Sequence, residues 1–169
     1  MSSRKKLENI TSKDIDHFTL DGKKGLAKVV SIHDGDTCDV VFKLYGKYKE
    51  RFNCRLLSYD APELKEGTNA KLARDYLAHL VMDGRPGGPS YFDPKIIWKK
   101  QQLQERLDNN KDLTYAEFRK FDGFGRALVT LKRNYDDDES INDMMKKYIK
   151  ELQKRKRKTR KQKWNYSIL

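Results

Sequence analysis

The chain has 169 residues, about the size of one domain with a single core, and 37 basic against 25 acidic side chains give a formal net charge of +12. No run is long and apolar enough to cross a bilayer, and Met1 to Lys6 lead into polar residues rather than an apolar signal core. A membrane-spanning or exported chain is not expected; a soluble, intracellular protein with a polyanionic partner is. Much of the charge is local. Lys154, Arg155, Lys156, Arg157, Lys158, Arg160, Lys161 and Lys163 have no acid among them, so the rest of the chain is only mildly basic.

Residues 1–17 are polar and charged without a sustained period and read as a mobile arm. Gly25 to His33 and Thr37 to Tyr45 are rich in β-formers and are split by Asp34-Gly35-Asp36, a tight-turn sequence, so they predict a hairpin. Cys38, Val40, Phe42 and Leu44 alternate as its buried face. A turn at Gly46-Lys47 leads into a third strand, Tyr48 to Ser58. Phe52, Cys54 and Leu56 take one side of it; Arg51, Asn53 and Arg55 take the other. Asp60-Ala61-Pro62-Glu63 ends that strand, because proline cannot donate to a ladder and restricts the residue before it.

An amphipathic helix follows over about 69–82, with Leu72, Ala73, Tyr76, Leu77, Leu80 and Val81 on one face. Gly84 to Pro89 is a breaker, and Asp93-Pro94 supplies an N-cap and first-turn proline for a helix reaching Asn109. Residues 84–112 read as an insertion whose Ile96, Ile97, Trp98, Leu103 and Leu107 dock on the body, with docking on a partner the alternative. Leu113–Arg119 and Arg126–Lys132 predict two more strands, reversed by Phe121-Asp122-Gly123-Phe124-Gly125. Ser140 with Asp143 caps a last helix, where Ile141, Met144, Met145, Tyr148 and Leu152 repeat with helical period. The acidic run Asp136 to Glu139 reads as a solvated cap at its start.

Five short strands with a helix between the third and fourth is the order of an OB-type fold: a five-stranded β-barrel with packed helices, mainly β with α. The barrel domain is expected over 18–152, after the arm and before a basic tail at 153–169. Cys38 and Cys54 fall inside strands and read as buried core thiols rather than a bridge. His17, His33 and His79 are too scattered for a structural zinc.

Fold class does not establish function, so the chemistry must come from particular residues. Taken alone, Asp34 and Asp36 are better explained as turn stabilisers, since Asp accepts hydrogen bonds from nearby backbone amides. The combination points further. Asp36 and Asp60 lie in two turns, Arg55 stands in the strand feeding the second, and Arg126 follows a glycine-rich turn far along the chain. Carboxylate oxygens suit a hard cation, Ca²⁺ or Mg²⁺, and two guanidinium forks suit a phosphate better than ammonium groups do. That set matches phosphodiester cleavage.

Three stretches carry a family resemblance: Ile32-His33-Asp34-Gly35-Asp36-Thr37; Arg55-Leu56-Leu57-Ser58-Tyr59-Asp60-Ala61-Pro62-Glu63; and Asp122-Gly123-Phe124-Gly125-Arg126-Ala127-Leu128. In this order they resemble the staphylococcal nuclease (thermonuclease) family, over about residues 25–83 and 113–152. The resemblance implies that Asp36 and Asp60 ligate Ca²⁺ together with the backbone carbonyl of Ala61. It gives Glu63 the role of orienting or deprotonating the attacking water, Arg55 that of bridging phosphate and metal, and Arg126 that of stabilising the pentacoordinate transition state. The implied activity is a monomeric Ca²⁺-dependent endonuclease on DNA or RNA, of little sequence preference, leaving 3′-phosphate ends.

The chain departs from that family in four places, one being the longer link of residues 84–112 to the fourth strand. Ala61 stands where threonine is usual, a change that a backbone carbonyl ligand tolerates. Phe124 replaces the tyrosine usual before Gly-Arg, leaving a ring that either stacks on a base or packs in the turn. The family's last helix has no counterpart, and the basic tail occupies its place. In that tail Lys154, Arg155, Lys156 and Arg157 are candidate substrate contacts; a solvated helix extension and a nuclear import signal are the alternatives. Trp164 and Tyr166 beyond them either stack on bases or pack back on the barrel. The rival function is a non-catalytic OB-type module that binds nucleic acid or a protein partner.

Overall fold

The period-two alternation closes into a barrel. The computed structural model describes residues 3–48, 50–82 and 92–166, with side chains as far as residue 160. The Gly84–Pro89 breaker and the Trp164 and Tyr166 side chains lie outside the described residues. Strand β1 (Lys24–Ile32) pairs antiparallel with β2 (Thr37–Phe42), and β2 pairs antiparallel with β3 (Arg51–Leu56). β4 (Thr114–Phe121) is antiparallel to both β1 and β5 (Ala127–Lys132). A parallel β3–β5 pairing, with Arg55 opposite Leu128, closes the order β1-β2-β3-β5-β4. The fold is thus a five-stranded OB-type barrel with helices packed on it.

Inward residues fill the barrel because each strand turns every second side chain inside: Val29, Cys38, Val40, Cys54, Leu56, Ala116, Phe118, Val129 and Leu131 are buried. Phe118 meets Phe42 edge-on, with ring centroids 4.9 Å apart. Burial of each large side chain contributes about 1.5–3 kcal/mol. Helices α2 (Thr68–Met82) and α4 (Ile141–Tyr166) lay their apolar faces on this barrel and on each other. Asn142, itself buried, ties α4 to the strands: its Nδ2 donates to Val129 O at 3.0 Å and Leu57 O at 3.1 Å, and its Oδ1 accepts from the Leu131 N–H at 2.9 Å. No described helix is long and apolar enough to cross a membrane.

Several boundaries differ from the sequence reading, each for a contact reason. β3 starts at Arg51 rather than Tyr48, because Leu44 and Lys47 exchange backbone hydrogen bonds (2.9 and 3.0 Å) and draw the connecting turn outward. Between β3 and α2, Leu64–Glu66 forms a single 3-10 turn. α3 spans Lys100–Asn109 and does not begin at Asp93. The Trp98 backbone is bound instead by a buried ion pair of α2: the Trp98 N–H donates to Asp75 Oδ2 at 2.9 Å, and Arg74 Nη2 donates to Trp98 O at 2.7 Å. That keeps residues 96–99 out of a helix, so Asp93-Pro94 makes one turn only. α3 buries Leu103 and Leu107, and Gln104 donates to Val30 O at 2.9 Å, docking this segment on β1; Trp98 packs against the core, but Ile96 and Ile97, expected to dock as well, stay exposed because they lie before α3 begins.

The final helix continues past Leu152 to Tyr166, since nothing in that Lys/Arg/Gln-rich run breaks a helix. At the other end Ser3–Glu8 forms a short exposed helix, α1, with no buried residue. The first core residue is Leu20, fully buried.

Candidate active site

The first turn places Asp36. Asp34 Oδ1 accepts the Asp36 N–H at 3.0 Å, an Asx turn of the kind the Asp-Gly-Asp sequence favours. The turn is then pressed into the body at Gly35. A Cβ there would stand 2.7 Å from Ala73 Cβ of α2 and 2.8 Å from Ala61 Cβ, so only glycine lets the three segments meet. Tyr59 Oη donates to Gly35 O at 2.7 Å and fastens the same turn to the exit of β3. We expect Gly35→Ala to cost about 1–3 kcal/mol through overpacking, read as a lower urea midpoint at unchanged slope. An unchanged midpoint would show that the contact gives way freely.

This packing sets Asp36 against the second acidic turn. Asp36 is 7% exposed; its Oδ2 accepts the Ala61 N–H at 2.7 Å and its Oδ1 accepts the Thr37 hydroxyl at 2.9 Å. Burial pushes its carboxyl above the usual range, and the nearby Asp34 charge adds to this, against the Ala61 and Thr37 hydrogen bonds and the Arg55 charge. Arg55 projects from the outer face of β3 between the two acids. Its Nη2 lies 3.6 Å from Asp36 Oδ2 and donates to Asp60 Oδ1. The Asp60 side chain is 91% exposed, so a rotamer change costs it no burial.

Arg126 reaches the same place from the far side of the barrel seam. Its Nη1 donates to Thr37 Oγ1 at 3.5 Å, which links it through Thr37 to Asp36. Asp122 aims it. Asp122 Oδ2 accepts from Arg126 Nε at 2.7 Å, and Oδ1 accepts the Phe124 and Arg126 N–H groups, both at 2.9 Å. Slight burial opposes it, yet these bonds and the Arg126 charge hold the Asp122 carboxyl below the usual range. Phe124 is 88% exposed, and the Arg126 guanidinium lies 5.5 Å from its ring centroid.

No protein-family model and no curated protein matches the chain. The functional case is therefore one of geometry. Asp36, Asp60, Ala61, Arg55 and Arg126 are gathered at one end of β2, β3 and β5. Glu63 is not joined to them. It stands in the turn before the Leu64–Glu66 helix, where its carboxylate pairs with Lys65 at 2.5 Å, and among the described residues it bonds to none of the other four charged groups. Lys154 to Arg157 lie apart, on the exposed stretch of α4.

Two carboxylates and a backbone carbonyl are an all-oxygen donor set of the kind Ca²⁺ and Mg²⁺ take. Among the described residues there is no cluster of three or more His, Cys, Asp or Glu side chains able to hold an ion. Asp36 and Asp60 could supply two side-chain oxygen ligands, and a cation there would take part of the contact that Arg55 now makes with both. The donors fit in type; the remaining coordination falls to backbone and water.

Thr37, Asp122, Gly35, Tyr59 and Ala73 were not singled out from the sequence as part of the site. A signal existed for Asp122, an acid four residues before Arg126 across a glycine-rich turn. Gly35, Tyr59 and Ala73 meet only through tertiary contact. Cys38 and Cys54 face each other across β2 and β3 but are free, and burial pushes the Cys54 thiol up to about 12 and Cys38 above its usual range.

Proposed function

We propose that this chain is a metal-dependent phosphodiesterase of the staphylococcal nuclease type, cutting DNA or RNA with little sequence preference and leaving 3′-phosphate ends. The observation that carries the proposal is Arg55 contacting both Asp36 and Asp60 while Arg126 joins the same turn through Thr37. Two anionic and two cationic side chains meeting at one notch, with Asp36 buried and Asp60 exposed, are what a metal and a phosphate together require.

In this reading Asp36, Asp60 and the Ala61 carbonyl hold Ca²⁺, which when bound neutralises charge on the phosphate. Arg55 shifts from Asp60 to the phosphate, where its fork makes two parallel hydrogen bonds to two of the oxygens. Arg126, fixed at Nε by Asp122 and held at Nη1 by its long bond to Thr37, turns Nη2 to the oxygen charge that builds as the P–O bond breaks. Glu63 orients the water. Its present pair with Lys65 joins two exposed side chains, which solvent screens and readily exchanges.

That same pair favours a second reading, a barrel that binds nucleic acid without cutting it, because the acid assigned to water stands outside the cluster. Digestion of plasmid and single-stranded substrates separates the two. We expect cutting with Ca²⁺, none in excess chelator, and none by Asp36→Ala in either. Absence of any metal-dependent cutting, with oligonucleotide binding retained, would leave the binding module.

A further inference from the structure

α4 leaves the body after Leu152, its last buried residue, and every described side chain from Gln153 to Arg160 is exposed. The helix nonetheless runs on to Tyr166, about 21 Å further at 1.5 Å per residue. Between Lys154 and Arg160 every residue but Thr159 is a lysine or arginine, and Lys161 and Lys163 follow. At 3.6 residues per turn these cations surround the helix axis rather than forming a stripe. Lys154 and Lys158, and Lys156 and Arg160, fall at i,i+4, where like charges work against the helix. Among the described residues Glu151, four before Arg155, is the one acid beside this run, and no ion pair reaches Lys154–Arg160 from the barrel.

An all-round cationic rod is matched only by surroundings that carry negative charge on more than one side. A single strand passes along one side, and an anionic bilayer meets one face. The major groove of B-form DNA has phosphates on both walls and is about 12 Å wide, against about 10–12 Å for a helix with side chains. The major groove of duplex RNA is too deep and narrow to admit it. We propose that α4 from Gln153 onward is a duplex-DNA grip that seats in the major groove without reading sequence and brings the catalytic notch onto adjacent substrate. This rests on the nuclease reading only in taking nucleic acid as the polyanion.

The test is anisotropy of a labelled duplex in chelator, where no cleavage enters, across a salt series. The full chain is compared with the K154Q/R155Q/K156Q/R157Q variant, whose exposed glutamines keep helix propensity. We expect duplex DNA to be held about tenfold or more tighter than duplex RNA or single strands of equal length. The variant should lower the slope of log K against log salt by about 3 to 4, at about 0.9 for each phosphate that it leaves without a cation. Helical circular dichroism should rise when DNA is added to the wild-type chain. An unchanged slope, equal affinity for duplex RNA, or tighter binding to vesicles of equal parts phosphatidylcholine and phosphatidylserine would each overturn the assignment. Cutting by the Asp36 site is measured separately, so either reading can fail alone.

Discussion

Arg126→Ala is expected to lower kcat about 10³-fold, the scale seen when one preorganised donor to developing transition-state charge is removed. The guanidinium is preorganised because Asp122 takes Nε at 2.7 Å and the backbone N–H at 2.9 Å, so its direction is set before substrate arrives. Lysine at 126 should restore little of this, since an ammonium has no Nε for Asp122 and no fork for phosphate. Affinity for an uncut oligonucleotide in chelator should hardly change, which separates lost catalysis from lost binding. Unfolding is not the cause, because a pair this near the surface contributes about 1 kcal/mol or less. Wild-type cutting by Arg126→Ala would remove Arg126 from the site. A fall in urea midpoint matching the loss of rate would reassign the effect to stability.

Asp75→Ala is expected to destabilise the fold by about 3–5 kcal/mol, the cost of leaving a buried charge unpaired. Asp75 is 1% exposed and Arg74 6%, and the pair also satisfies the N–H and C=O of Trp98. Burial pushes the Asp75 carboxyl up despite the Trp98 and Arg74 hydrogen bonds, so desolvation outweighs the attraction of its partner. The sign follows. A raised folded-state pKa means that the stability linked to Asp75 titration is full below its unfolded pKa and declines as pH rises through the folded one. The pair therefore serves chiefly to position residues 92–99 and α3. Urea unfolding at neutral pH checks this, with Arg74→Met/Asp75→Leu as control. The double variant should lose less than Asp75→Ala alone, because it strands no charge although it strands the Trp98 amide. An equal or larger loss in the double variant would mean that the ion pair itself is strongly stabilising.

Much of this molecule is legible in local pattern. Alternation of Cys38, Val40 and Phe42, or of Phe52, Cys54 and Leu56, requires only that one face of a pleat avoid water, so strands and their inward sides follow directly. Proline at 62 and glycines around Phe124 mark where strands end. Arg55 lies outward because Cys54 and Leu56 lie inward, and the acids fall in turns because the turn sequences call for them. Helix ends were less legible. Asp93-Pro94 has the composition of a helix start, yet α3 begins at Lys100 because a buried pair about 20 residues back binds the Trp98 backbone; likewise α4 passes Leu152 because good helix formers continue after the apolar period stops.

The chain by itself thus determined which segments form strands, which faces are buried, and which charged residues stand at strand ends, since each of these depends on neighbours two to four positions away, whereas the β1–β4 and parallel β3–β5 pairings that close the barrel do not. Only the tertiary structure decided how those residues meet. Gly35 wedged between Ala61 and Ala73, Thr37 joining Asp36 to Arg126, and Glu63 paired with Lys65 outside the cluster all turn on distances of a few ångströms between segments. Such distances are set by how whole elements pack, and no local period encodes them.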